Sequence, residues 1–118
     1  MAQTLDQQRA AHAWQCAVKR TRLDGYTALT KGAPALVMGN GLMAALAFWQ
    51  SRRKPPADAL VDDLLSWLAT RKMLPAQFDQ AMSLMAQQAS ASHYMALTDE
   101  VLALLRWLRQ FAAAVETK

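Results

Sequence analysis

Leu97 to Val115 reads LTDEVLALLRWLRQFAAAV. Leu97, Val101, Leu104, Leu105, Leu108, Phe111, Ala112 and Val115 recur at spacings of three and four, which puts them on one face of an α-helix. Arg106 projects from the opposite side and Arg109 from beside that polar face, so both are expected in solvent. A helix with one continuous apolar stripe buries it against other elements. The rest of the chain therefore has to supply the opposing surfaces.

What it supplies is more helix. Alanine and leucine dominate, isoleucine is absent and valines are few. Ala and Leu head the helix-propensity ranking, whereas strands favour β-branched and aromatic residues. Working back from Leu97, Pro75 is expected near the first turn of a fifth helix, where a missing N–H costs little. That helix carries Phe78, Met82 and Met85 and fades through the small polar run Gln87 to Ser92. Asp58 is expected to cap a fourth helix, with Leu60, Val61, Leu64, Leu65 and Leu68 inward, Asp62 and Asp63 outward, and an end near Arg71-Lys72. Arg52-Arg53-Lys54-Pro55-Pro56 reads as a loop. The third helix, Leu42 to about Arg53, is apolar on nearly every side through Phe48, the mark of a buried central helix. In Gly39-Asn40-Gly41, Gly39 suits a left-handed helix end and Asn40 a cap for the next helix. Tyr26 to Met38 forms a second helix, with a kink or restart at Pro34. The first runs from Leu5 to about Arg22, with Thr4 as N-cap, Asp6 at the positive end of the dipole, and Ala10, Trp14, Ala17, Val18 and Thr21 on one face. The expectation is an all-α fold, residues 1–118 forming one compact bundle of about six helices.

A chain of 118 residues that is 53% apolar has material for one core, burying roughly two-thirds of the surface its unfolded form exposes. Cys16 is the single cysteine, so no intrachain disulfide forms. Met1 to Gln15 lacks the basic start, apolar centre and cleavage site of a signal peptide, and a cytoplasmic location is expected. The one membrane-like stretch, Ala33 to Trp49, falls short of the ~20 apolar residues that cross a bilayer. It also contains Pro34, Gly39 and Gly41.

No constellation for catalysis or metal binding emerges. His12 and Cys16 are spaced i, i+4 and share a helical face, but zinc needs four ligands, or three plus water. His93 is the only other histidine, and no second cysteine or cluster of acids accompanies it. The paired acids Asp62-Asp63 and Asp99-Glu100 are expected in the first turns of helices, where carboxylates complement the dipole. Gly39-Asn40-Gly41 lacks the Lys-Ser/Thr ending of a phosphate-binding loop and follows no strand. Neither cofactor nor metal is expected.

The charged and aromatic residues point to macromolecular partners. The formal charge is +4 and the pI about 9.6, an excess that favours polyanions. Cations gather in Lys19, Arg20, Arg22 and Lys31, in Arg52, Arg53 and Lys54, in Arg71 and Lys72, and in Arg106 and Arg109. Three of these groups sit where cations complement helix C-termini. Alternating helices of a bundle end at opposite poles, so groups on odd-numbered helices can share an end and form a positive strip that holds phosphates without reading sequence. Among the tryptophans, Trp14 reads as core. Trp67 and Trp107 flank the main stripes of their helices and read either as core packing or as anchors for a partner protein, since Trp is favoured at interface hot spots.

Two stretches resemble a known family. Pro34-Ala35-Leu36-Val37-Met38-Gly39-Asn40-Gly41-Leu42, followed by Ala45-Leu46-Ala47-Phe48, is similar to the hallmark of the small α-helical subunit of the type III-B CRISPR effector, the Cmr complex. Tyr94, Thr98, Glu100, Leu102, Leu105, Trp107, Leu108, Arg109, Phe111 and Ala112 resemble its closing helix, and Asp63-Leu64-Leu65-Ser66-Trp67-Leu68 its middle. The resemblance implies a non-catalytic subunit, stacked in copies along the backbone subunits of a ribonucleoprotein beside guide and target RNA, and abutting the large subunit. It implies that the positive strip faces the RNA, with Lys19, Arg20, Lys31, Arg52, Arg53 and Lys54 as the expected phosphate contacts. Two rival readings stand beside it: the small subunit of the related type III-A effector, and a helical adaptor that binds protein only.

Overall fold

The apolar stripe of Leu97–Val115 is the spine of the molecule. In the computed structural model, which describes residues 2–116, six helices follow in order: α1 (Leu5–Lys19), α2 (Tyr26–Asn40), α3 (Leu42–Arg52), α4 (Pro55–Thr70), α5 (Phe78–Gln87) and α6 (Ala91–Glu116). No strand occurs among the described residues. Leu97, Val101, Leu104, Leu105, Leu108, Ala112 and Val115 of α6 are buried, and the helix packs against α1, α2 and α4. α2 runs antiparallel to it: Thr27 Oγ1 donates to Ala112 O at the far end, and Tyr94 reaches Met43 just beyond the other.

The centre of the bundle is α6 with α4, not α3. α4 buries Leu60, Val61, Leu64, Leu65, Trp67 and Leu68. α3 buries only the seam Leu42, Ala45, Leu46 and Trp49, leaving Ala44, Ala47 and Phe48 in solvent. Small apolar residues carry no obligation to be inside, and an 11-residue helix at the side of the bundle needs one seam. The Cα radius of gyration is 13.6 Å, close to the ~13.5 Å expected of a compact chain of this length. The body is flattened, 43 × 41 × 23 Å, about two helix diameters thick.

Thr4 caps α1 in a full capping box: its hydroxyl accepts from Gln7 N–H, and the Gln7 side chain accepts from Thr4 N–H. Other boundaries differ from expectation. Pro55 and Pro56 open α4 and do not merely separate it from α3, because proline fits the first helical positions. Asp58 accordingly lies in the first turn and Lys54 is the cap residue. Pro75 precedes α5, which starts at Phe78 after a cap by the Gln77 side chain. The polar run Ser90 to Ser92 opens α6, with Ser90 Oγ accepting from His93 N–H. α2 continues through Pro34 to Asn40. Gly41, not Gly39, takes the positive φ of +90°, and Asn40 provides no cap; Tyr94 Oη accepts the Met43 N–H instead.

Trp14 is 48% exposed, lying edge-on to Phe111, which in turn stacks on Trp107. The core seam of α1 is Ala13, Cys16 and Ala17, one position round from Trp14. Its small residues let α1 approach α6 closely and leave the large ring outside. No helix among the described residues is long and apolar enough to cross a membrane.

Candidate nucleic-acid interface

The turn after α1 is basic for reasons of local structure. Arg20 N–H bonds to Cys16 O and ends the helix, and Thr21 Oγ1 donates to Val18 O. The chain then reverses through Gly25, at φ +90°. A Cβ on Gly25 would lie 3.3 Å from Pro56 Cγ, so this turn lies against the start of α4. The junction between α3 and α4 is basic too, with Arg53 held left-handed at φ 53°. Arg22 on one turn, and Arg52, Arg53 and Lys54 on the other, therefore fall on one edge of the slab, all exposed, while Lys19, exposed at the end of α1, has its Nζ 3.9 Å from Asp63 in the middle of α4. Asp24 and Asp58 are exposed on the same edge, and the cations outnumber them. Lys31 is exposed on α2, six residues and about 9 Å along the axis from Gly25.

Arg20 has a different assignment. Its Nη2 and Nε donate to Asp63 at 2.8 and 3.2 Å, and its side chain is one-fifth exposed. Asp63, 1% exposed, also accepts from Tyr26 Oη at 2.6 Å. It ties the end of α1 and the start of α2 to the middle of α4. The outward position expected for Asp63 is thus reversed, and Arg20 is occupied by the fold rather than free for phosphate. Burial, reinforced by the Asp63 charge, holds the Tyr26 hydroxyl protonated far above its ordinary range.

Glu100 is a second interior acid. Because α6 begins at Ala91, Glu100 lies well inside the helix and not in its first turn. It accepts from Arg9 Nε at 2.6 Å, Arg9 Nη2 at 3.0 Å and Trp67 Nε1 at 2.9 Å. The hydrogen bond from Arg9 is the main cause holding its carboxyl below the usual range. Trp67 is 3% exposed, so it is an internal strut joining α4 to α6 rather than a surface anchor. Its flanking position on α4 aims the indole N–H at Glu100. Trp107 is half-buried and donates through Nε1 to Asp6 at 3.1 Å, leaving part of its ring at the surface. Among the described residues every buried side-chain nitrogen and oxygen has a hydrogen-bond partner.

His12 and Cys16 do share a face, but both are committed to packing. His12 Nε2 lies 3.2 Å from Asp63 O and 3.3 Å from Ser66 Oγ, its ring against Trp67. Burial, with the Asp63 charge, pushes the Cys16 thiol up to about 12, so it stays protonated at neutral pH and makes a poor nucleophile. His93 bonds to Met73 O, far along the chain. No group of three or more His, Cys, Asp or Glu among the described residues is arranged to hold a metal ion.

Sequence reasoning missed both interior carboxylates and, with Asp63, the inward turn of Arg20. The available signal was the mixture of acids with Tyr26, Arg9 and Trp67 on apolar faces: donors without an obvious solvent role imply an acceptor inside.

Comparison with known proteins agrees with this architecture. A family model described as CRISPR-associated protein (Cas_Cmr5) matches residues 5–115. The CRISPR system Cmr subunit Cmr5 of Thermus thermophilus is 38% identical over 82 residues, covering 70% of this chain and 67% of that protein. The crystal structure of a CRISPR-associated Cmr5 family protein, also from Thermus thermophilus, superposes with a TM-score of 0.82 at 31% identity, covering 97% of this chain and 98% of that one. With the six-helix fold shared over nearly its whole length, the chain belongs to the Cmr5 family of CRISPR-associated proteins.

Proposed function

We propose that this chain, as one domain over residues 1–118, is the non-catalytic small subunit of a cytoplasmic type III-B CRISPR (Cmr) ribonucleoprotein in antiviral defence. In this reading it stacks in copies along the backbone subunits, meets the large subunit, and helps hold guide and target RNA. The observation that supports the RNA part is the run of exposed cations: the turn that carries Arg22 lies against the start of α4 at Gly25 and Pro56, beside Arg52, Arg53 and Lys54, and Lys19 lies farther along, near Asp63 in the middle of α4. Lys31 extends that run along α2. Such a surface binds phosphates without reading bases, as suits a complex in which base pairing supplies the sequence recognition. The flattened shape suits stacking.

The protein-only adaptor has one observation in its favour. Trp14 and Val18, one turn apart on α1, are both about half exposed, and Trp14 lies edge-on to Phe111 of the Trp107–Phe111 stack, an apolar surface of the kind that marks partner contacts. Affinity purification of the tagged chain from its native host separates the readings. Recovery of repeated backbone subunits with short guide RNA is the expected result, and the identity of those subunits distinguishes type III-B from type III-A. A lone protein, or protein partners without RNA, would move the assignment to the adaptor.

A further inference from the structure

A groove runs between α2 and α6, on the flank of α6 away from the aromatic surface. Its volume is about 260 Å³ and it is lined by Pro34, Met38, Leu102, Arg106, Arg109 and Gln110. Met38 is the most exposed large apolar side chain of the core-forming helices, at 74%. Pro34 and Leu102 are half-buried and form the floor. The two arginines on the rim are exposed, and no acid lines the groove. Arg106 has a long contact of 3.5 Å to Asp6, and its guanidinium lies over the Trp107 ring at 5.8 Å; both are weak holds for an exposed side chain.

This combination selects a class of occupant. Three apolar residues offer a seat for an aliphatic or aromatic side chain, and two guanidinium groups offer bidentate bonds to carboxylates. Arg and Met are enriched at protein–protein interfaces, and arginine is among the commonest hot-spot residues. Single-stranded RNA is the poorer fit, because base binding relies on aromatic stacking platforms and no aromatic side chain lines the groove. Of the cations proposed for RNA only Lys31 lies near the groove, one turn before Pro34 on α2; Lys19, Arg52, Arg53 and Lys54 lie on other elements.

We infer that the α2–α6 groove docks an acidic-apolar segment of a different protein subunit, one presenting an apolar side chain to Pro34, Met38 and Leu102 and carboxylates to Arg106 and Arg109. The inference rests on the effector reading, since it takes the occupant from the same assembly. Arg106 gives up its long contact to Asp6 and its place over the Trp107 ring for the incoming carboxylate, while Asp6 keeps Trp107 Nε1 and Arg9 as donors.

The test is site-directed photocrosslinking in the assembled complex. Cys16 is buried, so Met38→Cys introduces the one readily labelled thiol, which takes a benzophenone maleimide. The expected product is a covalent adduct with a protein subunit other than this one, at a segment with Asp or Glu within one helical turn of an apolar residue. The double variant R106Q/R109Q, which removes both charges without setting a carboxylate beside Asp6, should reduce that adduct at least tenfold, with the thermal midpoint of the isolated chain within a few degrees of the parent and RNA retained. Adducts to RNA or to a second copy, or an assembled complex with no protein adduct, would overturn the inference and leave the effector reading standing. Failure of the unmodified chain to enter any RNA-containing complex would sink both.

Discussion

Glu100 shows how a single interior acid organises this molecule. It accepts two hydrogen bonds from Arg9 and one from Trp67, joining α1, α4 and α6 at one carboxylate. Removing one partner of a buried pair leaves the other charge uncompensated, at a cost of roughly 3–5 kcal/mol. Arg9 keeps partial access to water, so Glu100→Ala is expected to lose about 3 kcal/mol, at the low end of that range, read from urea unfolding at pH 7. The pH dependence has a definite sign. The folded pKa of Glu100 lies below the ordinary 4.5, so its contribution is fully present above the unfolded value and lost as pH falls through the lowered one. Glu100→Gln should therefore be less stable than the parent at pH 7 and lose less between pH 5 and the acid limb. Parallel acid limbs for parent and variant would show that other carboxylates set the acid sensitivity. Neither Glu100 nor Asp63 was legible as an interior residue, because hydrophobic periodicity assigns acids to solvent. Their partners lie 91 and 43 residues away in the chain for Arg9 and Arg20, and no local pattern encodes such distances.

Helix number, helix type and the α6 stripe were legible, because each rests on spacing within one segment. The capping box at Thr4 was legible in part for the same reason. Boundaries that depend on a distant side chain were not, and the start of α3 is the clearest case. Gly41 holds φ 90° and ψ 158°, a region essentially restricted to glycine. Neither Asn40 nor Gly41 gives α3 a side-chain cap, and Tyr94 of α6 accepts the Met43 N–H at 2.9 Å. The cap is therefore tertiary, supplied by the helix against which α2 packs. Gly41→Ala is expected to cost about 2 kcal/mol from backbone strain, while its Cβ, at 3.4 Å from Tyr94 Oη, adds little. Tyr94→Phe keeps the ring and removes the acceptor, so a loss of about 1 kcal/mol is expected. Hydrogen exchange locates the effect: Met43 N–H should lose protection in Tyr94→Phe, with α6 unchanged. Unaltered protection there would mean that water replaces the hydroxyl at no cost.

At the scale of the whole molecule, the placement of charge decides what the basic residues do. Sequence clustering treats Lys19 and Arg20 alike, yet packing turns Arg20 inward to Asp63 and leaves Lys19 largely exposed, its Nζ 3.9 Å from the same carboxylate. The two residues should therefore separate in experiment. In a reconstituted effector, log Kobs for target RNA falls linearly with log salt, and each single-strand phosphate contact contributes about 0.7 to the slope. Replacing Lys19, Lys31, Arg52, Arg53 and Lys54 one at a time by alanine should reduce the slope by about that amount for each residue that meets a phosphate. The RNA sequence preferred should not change, because phosphate contacts carry no base information. Arg20→Ala should leave the slope unchanged and lower stability, since Asp63 would keep the Tyr26 hydroxyl and the Cys16 thiol as donors but only the distant Lys19 as a counter-charge. If Arg20→Ala flattened the slope at unchanged stability, Asp63 would not be holding the guanidinium in solution. If all five exposed replacements left the slope at the parent value, the basic edge would be a solvated face, and the subunit's place in the effector would rest on protein contacts alone.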